Sequence, residues 1–479
     1  MNKFYITAAI PYANSKPHLG HALEFVQVDV LKRHHRSLGE EILSLSGGDE
    51  NALKNVQAAE KSGRPLQEFI DENTESFRQL AIKLNGEFDV WQKGSDQDRH
   101  FPSSQKFWEL CAKNNDIYKK SYRGLYCVGC EAFYALEDLN EKGECFEHAG
   151  KKLDEVKEEN YFFALSKYQE KIIQIVEDGL LKIIPEFRKN EVLSFLKAGL
   201  VDISISRSNE RARNWGVPVP GDPSQKIYVW MDALNIYQSG VGFGWDEEMY
   251  QKWWPADIHV IGKGISRFHA VYWPAFLLSA GLPLPKCVLI HGYLTVDGKK
   301  ISKSDPSTVI DPIPIIEKYG ADAIRYYLLA KVSPFEDGDF SESKLKEVYN
   351  TDLAGGLGNL VARVVALSEK RKVRIGKLTN PEFETVIRET KQKTTKALEE
   401  FKFNEALSVI WQLIAFCDRY IDKTKPWEEK EQSKQVIGDL LLVIGEVANL
   451  LALFLPETSA KIQQQLLTNK KENLFPRLA

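Results

Sequence analysis

The sequence predicts an α/β chain: a parallel sheet, split by a turn-rich insertion and followed by a C-terminal α-helical bundle. Three observations predict it. Strand-like, helix-like and strand-like segments alternate over residues 4–46. Apolar β-type runs return after residue 226. Helical periodicity dominates from about residue 345 onward. A length of 479 residues predicts two to four domains, and 43% hydrophobic with 27% charged residues is the balance of a globular protein.

Residues 4–10 (FYITAAI) read as a buried strand. Pro11-Tyr12-Ala13-Asn14 turns the chain. Over residues 19–38, Leu23, Val26, Val30 and Leu31 recur near the helical period. Gly39-Glu40 turns the chain again, and residues 42–46 form a second strand. Strand, helix and strand joined by short turns make a βαβ unit, hence a parallel sheet with ligands at its C-terminal edge. Residues 116–225 change character: they are short, turn-rich and hold three of the six cysteines, as an insertion would. The α/β pattern resumes at Ile227-Tyr228-Val229-Trp230 and continues through Ile258-His259-Val260-Ile261 and Val288-Leu289-Ile290-His291. No internal repeat or low-complexity tract is visible.

A net charge of −4 argues against a uniformly basic nucleic-acid binder and leaves room for a local basic face. Met1-Asn2-Lys3-Phe4 runs directly into a strand, without the pattern of a signal peptide. Residues 436–455 are apolar but interrupted by Asp439, Glu446 and Asn449, so they read as a bundle helix. Cys111, Cys287 and Cys417 stand singly, as buried hydrophobes do, and the cysteines as a set suit a reducing cytosol. His34, His35 and His100 have no partner legible in the sequence and read as structural or surface residues.

His18-Leu19-Gly20-His21 opens the first helix. Backbone N–H groups and the helix dipole favour anions there. Two histidines three apart share a face of the first turn and can donate hydrogen bonds to charge developing on a phosphate. Gly20 lets a flat base or ribose approach closely. Far along the chain, Lys300-Ile301-Ser302-Lys303-Ser304 follows Asp297-Gly298-Lys299, with Gly298 at a hinge-like position. Lysine is a flexible point charge suited to a departing pyrophosphate. Cys127-Val128-Gly129-Cys130 and Cys145-Phe146-Glu147-His148 give C-x₂-C-x₁₄-C-x₂-H. Two close pairs of soft ligands suit tetrahedral zinc, and four protein ligands make that metal structural.

The two phosphate motifs on a βαβ scaffold resemble the class I aminoacyl-tRNA synthetases. Further stretches resemble the methionine-specific members. These are Ala9-Ile10-Pro11-Tyr12-Ala13-Asn14, Tyr228-Val229-Trp230-Met231-Asp232-Ala233, Arg267-Phe268-His269 before Trp273-Pro274-Ala275, and His291-Gly292-Tyr293. Gly358-Asn359-Leu360 and Lys425-Pro426-Trp427 extend the likeness into the helical region. The resemblance implies a Rossmann-type sheet with an inserted zinc-knuckle connective domain and a helical anticodon-binding bundle. It implies that L-methionine attacks the α-phosphate of ATP, accompanied by Mg²⁺, and that the methionyl group of the resulting adenylate is then transferred to the 3′ end of tRNA(Met).

By the same resemblance His18 and His21 stabilise the pentavalent phosphate, and Lys300 and Lys303 close over the pyrophosphate. Gly20, Glu24, His291 and Ser302 are expected at ATP. Asp49 is expected to hold the methionine ammonium. Ile10, Tyr12, Trp230, Ala233, Tyr237 and His269 are expected around the thioether, although aromatics there also suit plain core packing. Asn359, Arg363 and Trp427 match the anticodon readers, and Cys127, Cys130, Cys145 and His148 the ligands of one structural Zn²⁺. The implied domains are a catalytic half at 1–115, a connective insertion at 116–225 with its knuckle at 127–148, and a second catalytic half at 226–294. A KISKS-loop and stem-contact region at 295–344 and an anticodon-binding bundle at 345–479 complete them. A cytoplasmic monomer is expected. Two departures stand out. Asn51-Ala52 follows Asp49-Glu50 where the family commonly has His-Gly, and Gly264 replaces an aspartate associated with the nucleotide ribose.

Overall fold

The strands Lys3–Ala8, Ile258–Gly262 and Cys287–His291 are almost wholly buried. Such continuous apolar runs belong to a parallel sheet covered on both faces. The computed structural model describes residues 2–127, 132–134, 139–145, 150, 153–300, 310–428 and 432–478, without the side chains of 122, 123, 132, 133 and 300. It divides into two units. The first comprises Met1–Pro17, Gly39–Leu80 and Glu87–His291; the second comprises His18–Leu38, Ala81–Gly86 and Gly292–Ala479.

The first unit is built on a six-stranded sheet in the order Val90–Lys93, Glu41–Gly48, Lys3–Ala8, Ile258–Gly262, Cys287–His291, Lys182–Ile184. Every neighbouring pair is parallel. The chain moves outward from Lys3–Ala8 in one direction through Glu41–Gly48 and in the other through Ile258–Gly262. Strand order therefore reverses between Lys3–Ala8 and Ile258–Gly262, where an open α/β sheet places its ligand crevice. Trp273, Tyr5, Tyr237, Phe107, Phe163 and Phe276 are among its largest fully buried side chains. A four-stranded antiparallel sheet lies in the sequence between the halves, in the order Ala132–Tyr134, Ile117–Cys127, Asp154–Phe163, Ile203–Ser204.

At residues 227–230 the structure differs from a strand reading. The strand Asp222–Ile227 ends there and the helix Val229–Ser239 begins. All residues of that helix are buried. Asp232, Asn235 and Ser239 recur at helical spacing along it, but the short apolar run 227–231 that precedes this stripe does not by itself separate helix from strand.

The second unit contains the helix Leu19–Ser37 and a small sheet of Lys299–Lys300, Leu294–Val296 and Gly338–Phe340. Its C-terminal part is helical, with Asn359–Arg371, Pro381–Glu399, Phe403–Thr424, Ser433–Leu451 and Pro456–Thr468. Asn380 caps Pro381–Glu399 by accepting from Glu382 N–H, and proline at the first helical position loses no bond there. Asp439 is buried inside Ser433–Leu451 because it accepts from the N–H (2.8 Å) and hydroxyl (2.6 Å) of Thr379. The fully buried Arg325 pairs with Asp29 at 2.6 Å and donates to the carbonyls of Phe454 and Leu84. Among the described residues, no helix is long and apolar enough to cross a membrane.

Candidate active site

In the first unit, the turn after strand Lys3–Ala8 meets the end of strand Glu41–Gly48. Tyr12 and Asp49 form a parallel bridge, with Asp49 N–H donating to Pro11 O at 2.9 Å and Ala13 N–H to Asp49 O at 3.2 Å. Asp49 is thereby held at the C-terminal edge of the sheet, only 3% exposed. Tyr12 also meets Trp230 edge to face, ring centroids 6.1 Å apart. Ile10 lies half-buried two residues past the strand and packs on the same core. The backbone bridge and the ring contact of Tyr12 join the acid to the aromatic wall.

Trp230, Ala233 and Tyr237 recur at helical spacing on Val229–Ser239, so they share one face. Trp230 stacks flat on Phe268, centroids 3.5 Å apart and 5° between planes. His269 lies on the π-helical turn Phe268–Tyr272, a geometry often found at functional sites. Its Nδ1 faces the Ile265 carbonyl at 3.0 Å and its Nε2 faces Tyr237 Oη at 2.8 Å. A carbonyl can only accept, so Nδ1 carries the proton and Nε2 accepts from the tyrosine. Burial pushes His269 down to about 4, against the opposing pull of the Ile265 carbonyl, so the ring is neutral at neutral pH. His259 lies beside it on Ile258–Gly262, with Nδ1 2.7 Å from Thr7 Oγ1, and burial followed by the neighbouring His269 holds it well below the usual range. His291 ends its strand, buried, with Gly262 as its register partner. Gly264 is exposed on the short turn Lys263–Ile265.

Behind this face lies a polar cluster that the sequence did not disclose. His100, read there as a residue without a partner, is fully buried, with Nε2 2.9 Å from Asp232 Oδ1 and Nδ1 2.7 Å from Ser239 Oγ. The cue was an aspartate set among Val229, Trp230, Met231 and Ala233: a buried carboxylate requires donors from elsewhere in the chain.

In the second unit, His18 is the N-cap of Leu19–Ser37. Its Nδ1 accepts from Gly20 N–H at 3.1 Å, and His21 Nδ1 accepts from His18 N–H at 3.1 Å. Both rings therefore offer Nδ1 lone pairs to the backbone and carry their proton on Nε2. A Cβ on Gly20 would lie 2.9 Å from His18 Cε1, so this glycine makes room for the capping ring. Glu24 is buried further along the same helix.

Lys299–Lys300 pairs antiparallel with Leu294–Val296. Asp297 and Gly298 turn between them at φ 48° and 74°, as a tight Asp-Gly hairpin requires. Asp339 clamps that turn, accepting from Gly298 N–H and Thr295 Oγ1, both at 2.7 Å. Gly298 thus sits in a turn pinned by Asp339. Burial raises the Asp339 carboxyl, but the bonds from Gly298, Thr295 and Lys344 outweigh it and the net shift is downward. The Lys300 backbone is placed here; Ser302 and Lys303 lie outside the described residues.

Asn359 is exposed at the start of Asn359–Arg371, and Arg363 follows one turn later on the same face. Arg363 pairs with Asp422 at 2.9 Å and lies 5.9 Å from the Trp427 ring, which is 46% exposed. In the insertion, Cys127 and Cys145 share a small buried cluster with Tyr134 and Leu153. Cys130 and His148 lie outside the described residues, and among the described residues no group of three or more metal-ligating side chains occurs. Cys111, Cys287 and Cys417 are buried, and burial pushes each thiol up to about 12.

Comparison with known proteins places the chain in a family. The family described as tRNA synthetases class I (M) matches residues 4–365, and the anticodon-binding domain of tRNA ligase matches residues 381–476. A methionine–tRNA ligase of Thermotoga maritima is 40% identical over 96% of this chain and 74% of its own length. One from Brucella suis is 39% identical over 96% of this chain and 91% of its own. The structure of Mycobacterium tuberculosis methionyl-tRNA synthetase in complex with methionyl-adenylate is 33% identical and covers all of both chains, with a TM-score of 0.92. Family match, identity and fold agree over nearly the whole length: the chain belongs to the class I tRNA synthetases of the methionine type.

Proposed function

We propose that the chain activates L-methionine with ATP and transfers it to tRNA(Met), and that the residues described above carry the steps. The methionine carboxylate attacks the α-phosphate, the bond to the β-phosphate breaks, and methionyl-adenylate and pyrophosphate form. The terminal ribose hydroxyl of the tRNA then attacks the adenylate carbonyl and AMP leaves. The carrying observation is the Tyr12–Asp49 bridge set against the Trp230 and Tyr237–His269 wall. Asp49 takes the α-ammonium. Ile10, Tyr12, Trp230, Ala233, Tyr237 and His269 enclose the thioether; a neutral imidazole and aromatic faces suit a polarisable, uncharged sulfur.

His18 and His21 donate from Nε2 to the α-phosphate as charge develops, with Gly20, Glu24, His291 and Ser302 at the nucleotide. Lys300 and Lys303 neutralise the departing pyrophosphate, and Mg²⁺ accompanies ATP. Asn359, Arg363 and Trp427 read the anticodon; an exposed indole beside a guanidinium held by a carboxylate suits stacking and edge recognition of unpaired bases. Cys127, Cys130, Cys145 and His148 hold a structural zinc, a reading supported by the burial of Cys127 and Cys145 in one cluster. The domain division at 115, 225, 294 and 344 and a cytoplasmic monomer belong to the same reading. The test is ATP–pyrophosphate exchange with each of the twenty amino acids. Methionine alone is expected to support exchange; folded protein that exchanges with none, or better with another, would overturn the proposal.

A further inference from the structure

Asn51 stands where the sequence departs from its family, and no step above uses it. It is 7% exposed. Its Nδ2 lies 2.7 Å from Gly94 O and 2.7 Å from Asp232 Oδ2. Both partners are acceptors, so the NH₂ group must face them and both of its protons are engaged. Oδ1 is buried with no hydrogen-bond partner among the described residues. A bare buried carbonyl costs stability, so it is the donor pair that suits this position.

The two acceptors lie on separate elements. Gly94 follows the strand Val90–Lys93, and Asp232 lies in the first turn of Val229–Ser239, between Trp230 and Ala233. Asp232 is 2% exposed; Oδ1 accepts from His100 and from Ser104 (2.8 Å), and among the described residues Asn51 is the donor to Oδ2. On the other side, Asn51 is two residues from Asp49. Glu50 between them is anchored by Thr74 Oγ1 at 2.8 Å and Ser95 N–H at 3.0 Å. The segment 49–51 is thus fixed at every residue, and the Asn51 side chain hydrogen-bonds it to the helix bearing the aromatic wall.

We infer that Asn51 is a positioning residue: through Asp232 it sets the distance between the carboxylate of Asp49 and the face formed by Trp230, Ala233 and Tyr237. Those two features grip opposite ends of one amino acid, so their separation selects its length. The inference rests on the proposed methionine site.

The test is steady-state ATP–pyrophosphate exchange, with melting temperature, on Asn51→Leu, Asn51→Ser and Asn51→His. Leucine removes both donors, serine keeps one, and histidine, the family's common residue, restores a ring N–H. The expected result for Asn51→Leu is a methionine KM raised about tenfold, equivalent to about 1.4 kcal/mol. KM for ATP and kcat should stay within about twofold, because only ground-state positioning of one substrate is disturbed. Asn51→His should recover most of the methionine KM. If the leucine variant does not fold, Asn51→Ser carries the same comparison, with a smaller rise expected in the same parameter. A lowered melting temperature with unchanged methionine KM, or equal changes in both KM values, would overturn the inference and leave the methionine site standing. Wild-type protein that neither exchanges with methionine nor binds it would overturn both.

Discussion

The His269–Tyr237 pair yields a pH-dependent prediction with a magnitude. Its folded value is about 4, set by burial, against about 6.5 for an exposed imidazole. Between these values the unfolded chain binds a proton that the folded chain does not. Stability is therefore fully present above about pH 6.5 and falls as pH drops toward 4. A gap of about 2.5 units at about 1.36 kcal/mol each gives about 3 kcal/mol over that window. His259 acts in the same direction. His269→Gln isolates the effect, because a glutamine amide can accept from Tyr237 and donate to Ile265 O without titrating. Urea unfolding of both proteins at several pH values between 7.5 and 4.5, followed by tryptophan fluorescence, should show the wild type losing stability faster. An NMR titration of the His269 ring should show no protonation above about pH 5. Parallel pH dependences, or a ring titrating near 6.5, would refute the reasoning. The same neutrality keeps the methionine KM nearly flat down to about pH 5.5.

Other perturbations test other parts of the chain. Arg325→Ala removes one of the two guanidinium partners of buried Asp29, leaving Arg33 at 2.7 Å, and the donor to Phe454 O and Leu84 O, and should cost about 1–3 kcal/mol; no loss of stability by urea unfolding would deny the pair its role. Lys303→Ala should slow activation about 100-fold with methionine binding nearly intact, and an equal loss of binding in a direct titration would count against a transition-state role. Cys127→Ser should release zinc and loosen the insertion, as read by elemental analysis and proteolysis; unchanged metal content would sink the knuckle.

What the sequence determined by itself is local. Strand and helix periods around residues 4–46 made the βαβ unit legible, because side-chain direction repeats at short range. The His18–His21 motif was readable as a helix start, although only the folded geometry assigns its tautomers and gives Gly20 the task of clearing the His18 ring. Tertiary structure decided the rest. The helix at residues 229–239 is buried even along its polar stripe of Asp232, Asn235 and Ser239, and the hydrogen-bond partners that meet that stripe come from elsewhere in the chain. His100 meets an aspartate 132 positions away, and Asn51 meets the same aspartate across 181. Tyr237 donates to His269 across 32. Bonds between residues so distant in the chain impose no spacing on it. They exist only where the fold packs separate helices and loops against one another.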